Sequence, residues 1–117
     1  MMAVIFEVQT APGQQDAYLQ AAAALRPLLE QVDGFISIER FQSLTEPGRL
    51  LSLSFWRDEE AIQAWRERSD HRKAQGAGRA GIFADYRLRV AGVIRDYGMK
   101  DRTQAPEDSR AWHDAAH

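Results

Sequence analysis

The sequence predicts an α+β fold in which four antiparallel strands and two helices follow the order β-α-β-β-α-β. Three observations predict it. Apolar residues alternate with period two in four separate segments. Helical stripes fill the interval between the first pair of these segments and the interval between the last pair. A short Pro-Gly turn joins the middle two, which marks them as a hairpin.

Met2 to Gln9 alternates with Val4, Phe6 and Val8 on one face and Ala3, Ile5, Glu7 and Gln9 on the other. Ala11-Pro12-Gly13 breaks it. From Gln14 to Val32, Tyr18, Ala22, Leu25, Leu29 and Val32 step by three and four along one helical face. Pro27 lies inside this stretch and predicts a kink, because it donates no backbone hydrogen bond. Asp33-Gly34 closes the helix. Phe35 to Leu44 alternates again, with Ile36, Ile38 and Arg40 opposing Phe35, Ser37, Glu39 and Phe41; after the turn Thr45-Glu46-Pro47-Gly48, the strand Arg49 to Trp56 follows. Asp58 is a suitable N-cap, with Glu59 and Glu60 in the first turn and Ala61, Ile62 and Trp65 forming a short apolar stripe. Ser69 or Asp70 can cap a further helical piece through His71 and Ala74. The last strand spans Tyr86 to Tyr97, with Gly92 placed where a bulge is expected. Residues 1–97 therefore form the domain, and Gly98 to His117 is a polar tail with at most a helical turn near Trp112.

This is the ferredoxin-like arrangement, two helices covering one face of a four-stranded sheet. The other face, carrying Ile5, Leu50 or their neighbours, needs a cover, and the sheet of an identical chain supplies one. A homodimer is expected.

Composition narrows the function. A chain of 117 residues holds one small core. A net charge of −2, with basic and acidic residues interleaved, argues against nucleic acid as the partner. With no cysteine, thiolate catalysis, disulfides and iron–sulfur clusters are excluded. The N-terminal apolar run is too short for a signal peptide and no stretch is long enough to span a bilayer, so a cytoplasmic protein without membrane contact is expected.

Three segments then carry a resemblance: Trp56-Arg57-Asp58-Glu59-Glu60-Ala61-Ile62-Gln63-Ala64-Trp65, Asp70-His71-Arg72-Lys73-Ala74-Gln75, and Asp85-Tyr86-Arg87-Leu88-Arg89-Val90. Over roughly Ala3 to Tyr97 the chain resembles the antibiotic biosynthesis monooxygenase (ABM) family, in particular its haem-degrading-monooxygenase-like branch. The resemblance implies a dimeric α/β barrel with a pocket between sheet and helices in each subunit. It also implies oxidation of a small planar aromatic or quinol-like compound by dioxygen without a bound cofactor, or alternatively cleavage of haem as a substrate. Haem-cleaving relatives combine an Asn on the first strand, a Trp on the second helix and a His further on. Here Trp65 matches the Trp, while Glu7 or Gln9 stands near the Asn position and Gln75 or Gly76 near the His position.

Within the domain His71 is the lone His and the candidate general base, since its ordinary pKa allows proton abstraction near neutrality. A solvated helix-start His is the plain alternative. Trp65, Trp56 and Tyr86 can wall a pocket for a planar substrate, though core packing accounts for each equally well. Arg72 and Arg79 can hold a substrate carboxylate through a paired hydrogen-bond fork, against the ordinary role of a solvated surface cation. Gly76-Ala77-Gly78-Arg79-Ala80-Gly81 spells a dinucleotide fingerprint out of context, because it neither follows a strand nor opens a helix of a βαβ unit. His113 and His117 lie in the tail without a third ligand, so no metal site is expected. A non-catalytic module that binds a small molecule is the remaining reading.

Overall fold

The computed structural model describes residues 1–68, 72–73, 76 and 81–116. The elements are β1 (Met2–Thr10), α1 (Gln15–Leu29), β2 (Phe35–Gln42), β3 (Arg49–Trp56), α2 (Glu59–Glu67), β4 (Phe83–Gly92) and α3 (Glu107–Ala116). The four strands make one antiparallel sheet in the order β2-β3-β1-β4, the ferredoxin-like topology. Among the described residues no helix is long and apolar enough to cross a membrane.

Strand register decides which residues face the helices. Val4, Phe6 and Val8 of β1 stand opposite Ser54, Ser52 and Leu50 of β3 and opposite Val90, Leu88 and Tyr86 of β4. Side chains alternate along each strand, so these residues share one face, and α1 and α2 pack on it. Leu50 is thereby corrected. It belongs to the helix-covered face, buried with Val8 and Tyr18, and its neighbour Leu51 takes the outer position.

The outer face carries Ile5, Leu51, Leu53 and Phe55, all half-buried. It also carries Glu7, which pairs with Arg89 at 3.1 Å.

β2 departs from simple alternation. The register shifts between Phe35 and Ser37, so Phe35 turns inward against the Trp56 ring (centroids 5.3 Å apart). Ile36, expected beside Ile38, is left 52% exposed. A bulge inserts one residue and so flips everything before it. The bulge expected at Gly92 is instead at Gln9/Thr10.

α1 runs through Pro27 and ends at Leu29, short of the expected Val32. Pro27 cannot donate to the Ala23 carbonyl one turn back, and α1 continues only two residues beyond it. Gly34 leads into β2 at φ +92, a conformation that a β-carbon disfavours. α2 opens as expected: the Asp58 carboxylate accepts the Ala61 N–H at 2.9 Å. β4 begins and ends earlier than Tyr86 to Tyr97, and α3 is a ten-residue helix where a single turn was expected.

Candidate functional site: a cavity between sheet and helices

The core is split. One cluster gathers Leu29 of α1, Trp56 of β3, and Ala61, Ile62 and Trp65 of α2. The other gathers Val8, Tyr18 and Leu50, with Phe6, Ile82 and Phe83 against it. Between them lies a cavity of about 220 Å³.

The sequence explains why the space is not filled. Small residues contribute to its lining from both layers, Ala21 and Ala22 from α1 and Ser52 and Ser54 from β3. Interiors pack to near-crystal density when side chains interdigitate, and side chains this small leave room that larger ones would occupy. Larger walls complete the enclosure: Val4 and Phe6 from β1, Trp56 from β3, Ile62 and Trp65 from α2. Rings are stacked edge-on at one end, Phe83 lying 5.8 Å from Phe6 and 5.7 Å from Tyr18.

The Trp56 indole N–H donates to Ser54 Oγ at 2.9 Å, which fixes the ring plane in the wall. Arg68 Cζ sits 5.8 Å from the Trp65 ring, and its Nη1 donates to the Leu28 carbonyl at 3.1 Å, tying α2 to α1 behind the cavity. Three arginines reach the rim: Arg26, Arg40 and Arg66. Among the described lining residues there is no Asp, Glu or His.

Trp56 and Trp65, named from the sequence as pocket residues, are both in the wall. Tyr86 lies one step outside it, touching the wall rings of Phe6 (5.6 Å) and Phe83 (5.9 Å) while remaining 38% exposed. Glu7 is on the opposite face of the sheet and does not reach the cavity. Arg72 is exposed, its Nε donating to the Arg66 carbonyl at 3.3 Å, and it is not in the lining. His71 and Arg79 lie outside the described residues.

Sequence reasoning missed Arg40, Ser52, Ser54 and the paired alanines. A signal was present: Arg40 sits at an inward position of a strand whose other inward residues are apolar, and small residues interrupt two apolar stripes at the same level.

Fold and cavity together define a ferredoxin-like α+β domain with a largely apolar cavity between its sheet and helices. Residues 1–77 match the family described as antibiotic biosynthesis monooxygenase, and the chain belongs to that family. A jasmonate monooxygenase of Pyricularia oryzae is 52% identical over 93 residues, 80% of this chain but 43% of that protein. The present chain thus spans less than half of that relative. The uncharacterized protein YqjZ of Bacillus subtilis is 29% identical over 86 residues, 74% of each chain. Among solved structures, one from Deinococcus radiodurans, provisionally assigned as an antibiotic biosynthesis monooxygenase, superposes with a TM-score of 0.76. It is 14% identical and covers 85% of this chain and 98% of its own. Rv0793 of Mycobacterium tuberculosis gives a TM-score of 0.73 at 16% identity, covering 83% and 98%. At these identities the structural likeness speaks for the fold.

Proposed function

We propose that this chain is a monooxygenase acting on a small ring-bearing compound held in the cavity between Trp56, Trp65 and Phe6. The carrying observation is the space itself: a cavity of about 220 Å³ whose lining sets Trp56, Trp65 and Phe6 beside the small side chains of Ala21, Ala22, Ser52 and Ser54. Family membership supplies the reaction class, and the aromatic walls suit a planar substrate.

The proposed chemistry needs no resident cofactor. Removing a proton from an activated CH₂ or a phenol leaves an anion able to reduce dioxygen, and conversion of that CH₂ to a carbonyl with release of water balances both oxygen atoms and electrons. The described wall offers no carboxylate or imidazole for that proton. His71 is the residue proposed for it. Exclusion of water by the apolar wall would protect the anion and the peroxide that follows it.

Haem fits less well as substrate. A volume of about 220 Å³ lies below the range of about 300–1,000 Å³ that holds drug-sized ligands, and haem exceeds most of those.

Pairing of two copies through the outer sheet face belongs to the same proposal, supported by the apolar Ile5, Leu51, Leu53 and Phe55 on the side away from α1 and α2.

The test is dioxygen uptake with jasmonate, a quinol and an anthrone, followed by mass analysis of products formed under labelled dioxygen. Uptake with label in the product is expected, and His71→Ala should abolish turnover while leaving substrate binding intact. Binding without uptake for all three would reduce the protein to a carrier. Full turnover by His71→Ala would remove the base.

A further inference from the structure

We infer that Arg40 holds the carboxylate of an amphipathic organic acid whose apolar body fills the cavity; this rests on the cavity being the ligand site proposed above. Three observations carry it. First, charge at the rim is one-signed: Arg26, Arg40 and Arg66 line the cavity, and no described Asp or Glu does. A cavity whose lining carries cations and no described carboxylate attracts an anion.

Second, Arg40 differs from its neighbour in commitment. Arg26 is paired with Glu30 at 3.2 Å. Arg40 Nε is shut off from solvent and has no hydrogen-bond partner. An unsatisfied buried N–H is costly, and a charged one more so, so the site is under-satisfied until an acceptor arrives. A carboxylate meets a guanidinium edge with two parallel hydrogen bonds and would relieve that deficit, with a small rotation of the Arg40 side chain.

Third, the location is right for a polar head. Arg26, Ile38 and Arg40 line both the cavity and a groove of about 450 Å³ that wraps the β2 edge, where Ser37, Glu39, Leu53 and Phe55 of the outer sheet face complete the lining. The acid group would lie on the cavity side of this edge, against Arg40 and on the sheet face opposite Glu39, with rings or chain directed inward toward Trp56 and Phe6. Arg40 is therefore a positioning and specificity residue, setting which end of the substrate faces the inner wall.

The experiment compares cyclohexylbutyrate with its isosteric neutral amide by calorimetric titration of the full chain, then repeats both with Arg40→Met and Arg40→Lys. Wild type should bind the acid about ten- to a hundredfold more tightly than the amide, the advantage of a charge-assisted pair over a neutral one. Arg40→Met should bind both equally, at the wild-type affinity for the amide, and Arg40→Lys should recover part of the preference. Unchanged amide affinity in Arg40→Met verifies that the variant is folded. Equal binding of acid and amide by wild type, no binding of either, or a preference surviving in Arg40→Met overturns the inference. Acid preference without dioxygen uptake upholds Arg40 and defeats the monooxygenase reading. Uptake without acid preference does the reverse.

Discussion

Replacing Ser54 by alanine removes one oxygen atom from the cavity wall and tests how that wall is built. Trp56 is 2% exposed and its indole N–H has Ser54 Oγ as acceptor at 2.9 Å. Ser54 is itself buried. Deleting the acceptor strands a buried donor rather than merely deleting one bond, and that costs about 1–3 kcal/mol. At about 2 kcal/mol, a domain of this size should lose about 6–12 °C in Tm. The comparison that isolates the cause is Ser54→Ala in a Trp56→Phe background, where no indole remains to be stranded. There the same substitution should cost less than about 0.5 kcal/mol, giving a coupling energy of about 1 kcal/mol or more. Urea unfolding followed by far-ultraviolet circular dichroism measures all four proteins. A Ser54→Ala variant within about 0.5 kcal/mol of wild type, or equal losses in both backgrounds, would refute the reasoning.

Asp58 should make stability pH-dependent. The Arg57 guanidinium, at 2.9 Å, and then the Ala61 N–H hold its carboxyl below the ordinary value of 3.8. A depressed carboxyl stabilises the fold fully above the ordinary value, and that contribution is lost as pH falls through the depressed one. Unfolding midpoints measured from about pH 6 to pH 2 should therefore fall more steeply for wild type than for Asp58→Asn, and equal slopes would contradict the pairing. Gly34→Ala places a β-carbon 2.7 Å from Ala61 Cβ at φ +92. It should cost more than the roughly 1–2 kcal/mol of backbone strain alone. Gly13→Ala, also at positive φ but in open space, should show only the strain; equal losses on thermal melting would deny the clash. Leu53→Lys on the outer face should convert a dimer to a monomer in sedimentation, and a monomeric wild type would dispose of the sheet-to-sheet pairing.

Local rules explain what was legible. The alternation in Met2 to Gln9, the stripe from Tyr18 to Leu29 and the Asp58 cap each depend on neighbours within a few residues, and each appears in the structure. Ile36 and Leu50 were misplaced for different reasons. The bulge after Phe35 arises from pairing with β3, which is invisible in β2 alone. Leu50 and Leu51 are both apolar, so only the register against Val8 and Glu7 assigns their faces.

The same division governs the site. Trp56 and Trp65 could be named from the chain because large aromatics at strand and helix positions are candidates for any wall. Arg72 was named for its type, yet lies exposed, and Glu7 faces away, since neither side-chain type nor sequence neighbourhood reports which face of the sheet a residue joins. By itself the sequence determined the four strands, the two helices between them and their order, hence the family fold, because hydrophobic period and turn chemistry are local; it did not reveal α3. Only the tertiary structure decided that Ala21, Ala22, Ser52 and Ser54 line one cavity, and that Arg40 lines it too with a buried N–H unmatched. A cavity is the failure of distant side chains to fill a shared volume, and that volume exists only once strand register and helix packing have brought them together.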